Sequence, residues 1–472
     1  MPPKIQIALL GLLLSVTALG QQDATQVPAQ TRVPSETPAT PAPAFGQELP
    51  APQVTLAPPV TSLDEMSLEP TIAARSFLQP GVHATESVNS NLGKSGVVGI
   101  TRLLGSLDLT RIWSRYTFIA DYVGGASFAS DSWSQPSQVH ALTAAQRYVW
   151  RTGQLQLNDC MTYLPEGAFG YSGLNGAGGS GALGGGAGCG GFGGGGSFGS
   201  LGSNPRLTNG TTLDLRESLN PRSSVTAAVG YTFTDFMGIG RNSSTNPLGT
   251  TNSRQESAQV GYSRVLNHFD QLGLQYGFEQ FQFPLVAAGK IDSHTVEVLY
   301  EHAVSGRMQL ILSAGPQWIV SHPLVGGSTN KIDATAHAML RYRFPRESVA
   351  LSYNRHTTAG SGIQLGSETD DVRATLGRPL TRLWTSSIDA GYSHHTALQP
   401  AAGSAIAGSY QTGFGGGGLT RRIGRYLSLQ LHYQYTYELF NKNNPQIAAG
   451  QNFNRHIGDI TLSWRPAPIR LD

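Results

Sequence analysis

Apolar and polar residues alternate one by one along most of this chain. Between Leu427 and Leu439 every odd position is apolar or aromatic (Leu427, Leu429, Leu431, Tyr433, Tyr435, Tyr437, Leu439), and Ser428, Gln430, His432, Gln434, Thr436 and Glu438 fill the even ones. A period of two means a β-strand with two unlike faces. The pattern recurs in Val225–Thr234, where Val225, Ala227, Val229, Tyr231 and Phe233 oppose Thr226, Ala228, Gly230, Thr232 and Thr234. It returns in Leu272–Phe278, in Met308–Trp318, and in Ile460, Leu462 and Trp464 set against Asp459, Thr461 and Ser463.

The polar face separates two kinds of β-protein. A soluble sandwich would show Lys and Glu there, whereas these strands show mostly Gly, Ser, Thr, Gln and Asn. A transmembrane barrel needs that arrangement, with a polar interior and an apolar face toward lipid. Connections also alternate in length. Tight turns fall at Trp113-Ser114-Arg115, Arg151-Thr152-Gly153, Asn220-Pro221-Arg222, Asn267–Asp270, Ser305-Gly306, Phe344–Glu347, Leu380–Arg382 and Gly424-Arg425. Longer links such as Met237–Thr251, His322–Asn330, Gln399–Ala407 and Asn441–Phe453 lie between them. Short turns on one side and long loops on the other fit a barrel with its short side in the periplasm.

About 17 strands fit between Thr101 and Trp464 at the spacing of such barrels. A periplasmic N-terminus then requires one more upward strand, placed within His83–Leu92. The expected fold is therefore all-β, a transmembrane antiparallel barrel of about 16–18 strands, the even counts of bacterial barrels. This architecture resembles the porin-type outer-membrane β-barrel proteins of double-membraned bacteria. The resemblance implies a passive channel for small polar solutes, contact with outer-membrane lipid and insertion by the barrel-assembly machinery, and it leaves homo-oligomerisation open. Such barrels usually end on a terminal Phe or Trp, but here Trp464 is followed by Arg465-Pro466-Ala467-Pro468-Ile469-Arg470-Leu471-Asp472.

Residues 1–20 read as a secretory leader, with Lys4 before an apolar stretch and Ala18-Leu19-Gly20 before Gln21. Residues 21–78 are rich in Pro and Ala and read as a periplasmic spacer, leaving 79–472 for the barrel. Charged side chains make up 13% of the chain, against about 25% in soluble proteins. Past the leader, no run approaches the ~20 apolar residues of a spanning helix. The net charge of +2 offers no case for nucleic acid.

Residues 170–202 form a glycine-rich insertion, extracellular by parity, which lacks the strand, helix and acidic residue that a dinucleotide fingerprint requires. The only two cysteines are Cys160, on a polar strand face, and Cys189, inside the insertion. An exported chain with an even cysteine count favours a disulfide between them, folding the loop into the mouth, over two unpaired thiols in a surface loop.

The candidate pore-lining charges are Asp121, Arg147, Asp214, Arg216, Glu297, Glu301, Arg341, Arg343, Arg373 and Asp389. Both signs occur, which reads either as a transverse field in an open bore or as ion pairs across a packed one. Arginines recur at the short turns, among them Arg111, Arg115, Arg151, Arg222, Arg307, Arg346, Arg378, Arg382, Arg421, Arg422 and Arg425. They suit a basic rim that attracts anions, or turn residues that fix the barrel's depth by snorkelling. No catalytic residue, metal site or cofactor is expected. His294, His302, His337, His356, His394, His395 and His432 lie on different strands without a nucleophile context, and His394 and His395 point to opposite faces. The second reading is a non-conducting barrel that presents the insertion as a surface adhesin or scaffold, or serves export.

Overall fold

A computed structural model describes residues 76–90, 96–130, 136–164, 205–237, 252–284, 289–322, 327–344, 347–359, 365–398, 408–440 and 453–471. The leader, almost all of the spacer, the glycine-rich insertion and Cys189 lie outside the described residues.

The first six strands are β1 (Phe77–Ser90), β2 (Val97–Ile112), β3 (Tyr116–Ala129), β4 (Ser137–Val149), β5 (Gly153–Leu164) and β6 (Arg206–Asn220). The next six are β7 (Ser223–Phe236), β8 (Ser253–Val265), β9 (Asp270–Gln282), β10 (Lys290–Ser305), β11 (Met308–His322) and β12 (Thr329–Arg343). Then come β13 (Ser348–Thr358), β14 (Ser367–Pro379), β15 (Trp384–Ala397), β16 (Ser409–Arg422), β17 (Leu427–Phe440) and β18 (Phe453–Trp464). Each pairs antiparallel with the next, and β1 pairs with both β2 and β18, so the sheet closes on itself. Closure leaves neither the first nor the last strand of the ring as a free sheet edge, as a backbone in hydrocarbon requires.

The extra upward strand exists, but it runs over Phe77–Ser90 rather than lying within His83–Leu92. Pro80 and Gly81 break the apolar period there and hide its first turn of pairing from a pattern reading. The tail beyond Trp464 is not loose either. After Arg465–Pro468 the chain forms a two-residue strand, β19 (Ile469–Arg470), against Phe77 and Leu78 at the foot of β1.

The alternating exposure fixes the two faces. On β1, Val82 and Val88 point outward and are each 54% exposed, while His83, Thr85, Ser87 and Asn89 point inward and are buried. Outward aromatics gather at two levels, the arrangement of membrane-interface girdles. Trp113, Tyr116, Phe269, Phe344, Tyr426 and Trp464 lie at the short-turn end, Trp318 and Tyr392 lie toward the long-link end, and Tyr353 and Tyr433 stand midway along their strands. Several turn arginines lie over the lower aromatics: Arg111 sits 5.2 Å from the Trp113 ring, Arg421 5.2 Å from Trp384 and Arg425 5.5 Å from Tyr426. On the outer face of β16, Gly413, Gly415 and Gly417 stand directly opposite Tyr437, Tyr435 and Tyr433. These cross-strand pairs let tyrosine rings cover glycine backbone.

Candidate functional site

The strand register sets the composition of the inner wall. All ten candidate pore-lining charges fall on inward-facing positions: Asp121 on β3, Arg147 on β4, Asp214 and Arg216 on β6, Glu297 and Glu301 on β10, Arg341 and Arg343 on β12, Arg373 on β14 and Asp389 on β15. The structure brings some of them together. Arg373 lies 3.6 Å from Asp389 on the neighbouring strand. Glu301 accepts from Gln309 at 2.8 Å and lies within electrostatic reach of Arg216 and Arg341. Asp214 accepts from Asn158 at 3.3 Å. Asp121 stands opposite a second inward carboxylate, Asp108, which faces Arg465 at 3.8 Å. Arg147 and Arg343 are exposed.

Glu297 is placed by a glycine. Directly across β11 from Thr335 is Gly315, and a Cβ at Gly315 would collide with the Val296 carbonyl oxygen. With no side chain there, the Glu297 carboxylate reaches two strands, accepting from Ser313 at 3.1 Å and from Thr335 at 2.7 Å.

Further inward groups were not among the candidate pore-lining charges. Glu279, Asp371, Glu438, Asp459, Arg102 and Arg455 all face inward, as do His83, His337, His356 and His395. Parity carried the signal: Asp371 is two residues before Arg373, and Glu279 continues the face of Gly273, Gln275 and Gly277. His83 bridges Ser463 and Ser106, each at 2.9 Å, and Thr85 meets Thr461 at 2.9 Å. Asn354 links His337 to Asp371, donating to the latter at 2.9 Å. Glu279 is 2% exposed, and neither carboxylate oxygen has a hydrogen-bond partner.

The inner face is not uniformly polar. Phe281, Ile291 and Ile319 point inward and pack with Phe283, Ala359, Leu365 and Leu398 near the long-link end. Val98, Ile100, Leu104, Val123 and Val139 form a second inward apolar stretch on β2–β4. Cys160 faces inward on β5 opposite Gly210. Among the described residues, no group of three or more His, Cys, Asp or Glu side chains is placed to hold a metal ion.

A closed ring of antiparallel strands with an apolar outer band, two aromatic girdles and a polar inner wall is a transmembrane β-barrel. No protein-family model matches the chain, and no curated protein does. Among solved structures it is similar to OpdQ of Pseudomonas aeruginosa (TM-score 0.41, 10% identity, covering 84% of this chain and 99% of that one). It is similar to a BenF-like porin from Pseudomonas fluorescens Pf-5 (TM-score 0.43, 9% identity, 84% and 99% covered). It is also similar to OprD of Pseudomonas aeruginosa (TM-score 0.40, 9% identity, 84% and 95% covered).

Proposed function

We propose that this chain is a channel in the outer membrane of a double-membraned bacterium, through which small polar solutes pass by diffusion. The observation that carries this reading is the division of faces around a closed ring of eighteen long strands. Valine, leucine and tyrosine side chains stand exposed on the outside, and hydroxyls, amides and charges of both signs line the inside. Passage is physical, with inner-wall groups replacing part of the solute's hydration. Arg373 with Asp389, and Glu301 with Arg216 and Arg341 within electrostatic reach, give the bore a transverse field rather than a ring of one sign. Cys160 pairs with Cys189 in this reading, which holds the glycine-rich insertion at the mouth. Assembly calls on the barrel-assembly machinery, and the protein works alone or as a homo-oligomer.

Purified full-length protein in a planar bilayer gives stepwise conductance if the reading holds, and a bilayer that stays silent across preparations overturns it. One observation favours the second reading of a non-conducting barrel: many inward polar side chains are shielded, His83, Ser293 and Thr412 being 0% exposed. Conductance that appears only when residues 170–202 are deleted selects that reading.

A further inference from the structure

Among the described residues, the ladder between β12 and β13 stops short of both ladders beside it. β12 and β13 pair from Arg343↔Ser348 up to Ala336↔Arg355 and no further. Both flanking ladders continue higher, β11–β12 to Ser321↔Thr329 and β13–β14 to Thr358↔Ser367. Side chains do the work that β13 backbone would do. The Ala334 N–H donates to Asp333 Oδ1 at 2.8 Å, and the Ala334 carbonyl accepts from Arg355 Nε at 3.1 Å. The Arg355 guanidinium also reaches Asp370 at 3.3 Å, Asp333 at 3.0 Å and Glu368, while Lys331 lies 2.5 Å from both Asp333 and Glu368. Two cations thus hold three carboxylates across a gap between strands.

The gap joins two environments. On the outer face beside it are Ile332, 72% exposed, and Trp318, 41% exposed and directly opposite it in register. Trp318 belongs to the upper aromatic level, where a barrel meets the outer leaflet's interface. On the inner face are Thr335, His356 and Asp371.

We propose that this gap is a side portal between the bore and the outer leaflet, latched by the Arg355 cluster, and that it passes amphipathic solutes with a small cationic head. The head class follows from the charges: three carboxylates against two cations leave the gap negative, and an ammonium or guanidinium group can replace Arg355 on Glu368 and Asp370. The tail class follows from the exposed Ile332 and Trp318 on the lipid side. The portal rests on the channel reading above, since it needs a bore to open into.

The test uses the full chain in the outer membrane of cells lacking other channels, with an octyl-tailed cationic styryl dye as probe. Arg355→Gln raises the rate of dye entry several-fold, because the latch loses its multidentate cation. In an Ala334→Cys/Thr357→Cys variant, oxidation that joins the two edges lowers dye entry, and reductant restores it. Swelling of liposomes in a small neutral sugar is the same for all these forms. Dye entry that is unchanged in Arg355→Gln overturns the portal, as does a cross-linked variant that admits dye as fast as its reduced form. Absence of sugar-driven swelling in every form, wild type included, instead overturns the channel reading.

Discussion

Two seams in this wall meet the same requirement in different ways. At the closure seam, β1 and β18 pair from Val82↔Trp464 to Asn89↔Ile457, and β19 extends the contact to the foot of β1. Backbones there lie close enough for short side chains to finish the work: His83 with Ser463, Thr85 with Thr461, Ser87 with Asp459. At the β12–β13 seam the upper backbones part, and only long charged side chains reach across. Short side chains finish a seam only where the backbones beneath them are paired. An ion cluster can stand in for that pairing, at the cost of sensitivity to salt and to single substitutions.

The largest contrast between the seams comes from proline. Thr85 pairs with Thr461 on one side and Arg102 on the other, so Thr85→Pro removes a ladder hydrogen bond inside the membrane and should cost several kcal/mol. Ala334→Pro removes only an N–H that bonds the Asp333 side chain, and should cost about 1 kcal/mol. Thermal titrations that follow the shift in gel mobility between folded and unfolded barrel measure both. Equal losses would mean that the β12 edge is paired in the membrane after all.

Side-chain removal gives a smaller separation. His83→Leu leaves the Ser463 and Ser106 hydroxyls without their ring partner in a buried setting, an expected loss of about 1–3 kcal/mol. Arg355→Gln acts on a cluster whose cation is 32% exposed, and its expected loss is about 1 kcal/mol. Urea midpoints in detergent rank the two, and a larger loss at Arg355 would show the ion cluster to be the stronger fastening.

Pattern reading reached the closure seam more fully than the other. Asp459, Thr461 and Ser463 alternate with Ile460, Leu462 and Trp464, so their inward face is visible as text. Every short turn was legible too, because Gly, Pro, Asn and Arg punctuate each one, and parity required the strand that became β1. Its start at Phe77 was not legible, since Pro80 and Gly81 interrupt the period. The ten inward charges followed from alternation alone, but which of them meet did not. Arg373 and Asp389 are joined by a register that no single strand encodes. The gap at Ala334 was hidden for a stronger reason. Asp333, Arg355, Glu368 and Asp370 sit on three strands, and each looks like an ordinary charge near a loop until the missing ladder is seen.

The smallest expected effect isolates the difference in kind. Raising ionic strength from 0.1 M to 1 M shortens the screening length from about 10 Å to about 3 Å. The closure seam holds mostly through backbone and hydroxyl bonds, so amide exchange in β1 should not change. Lys331 is 49% exposed and Arg355 32%, so salt reaches their ion pairs, and the Ala334 amide, fastened only to Asp333, should exchange several-fold faster. Hydrogen exchange read by mass spectrometry on peptides covering 77–90 and 329–343 compares the two in one sample. Faster exchange in both peptides would mean that salt loosens the whole barrel; acceleration confined to the β12 peptide identifies the charge cluster as what holds that part of the wall together.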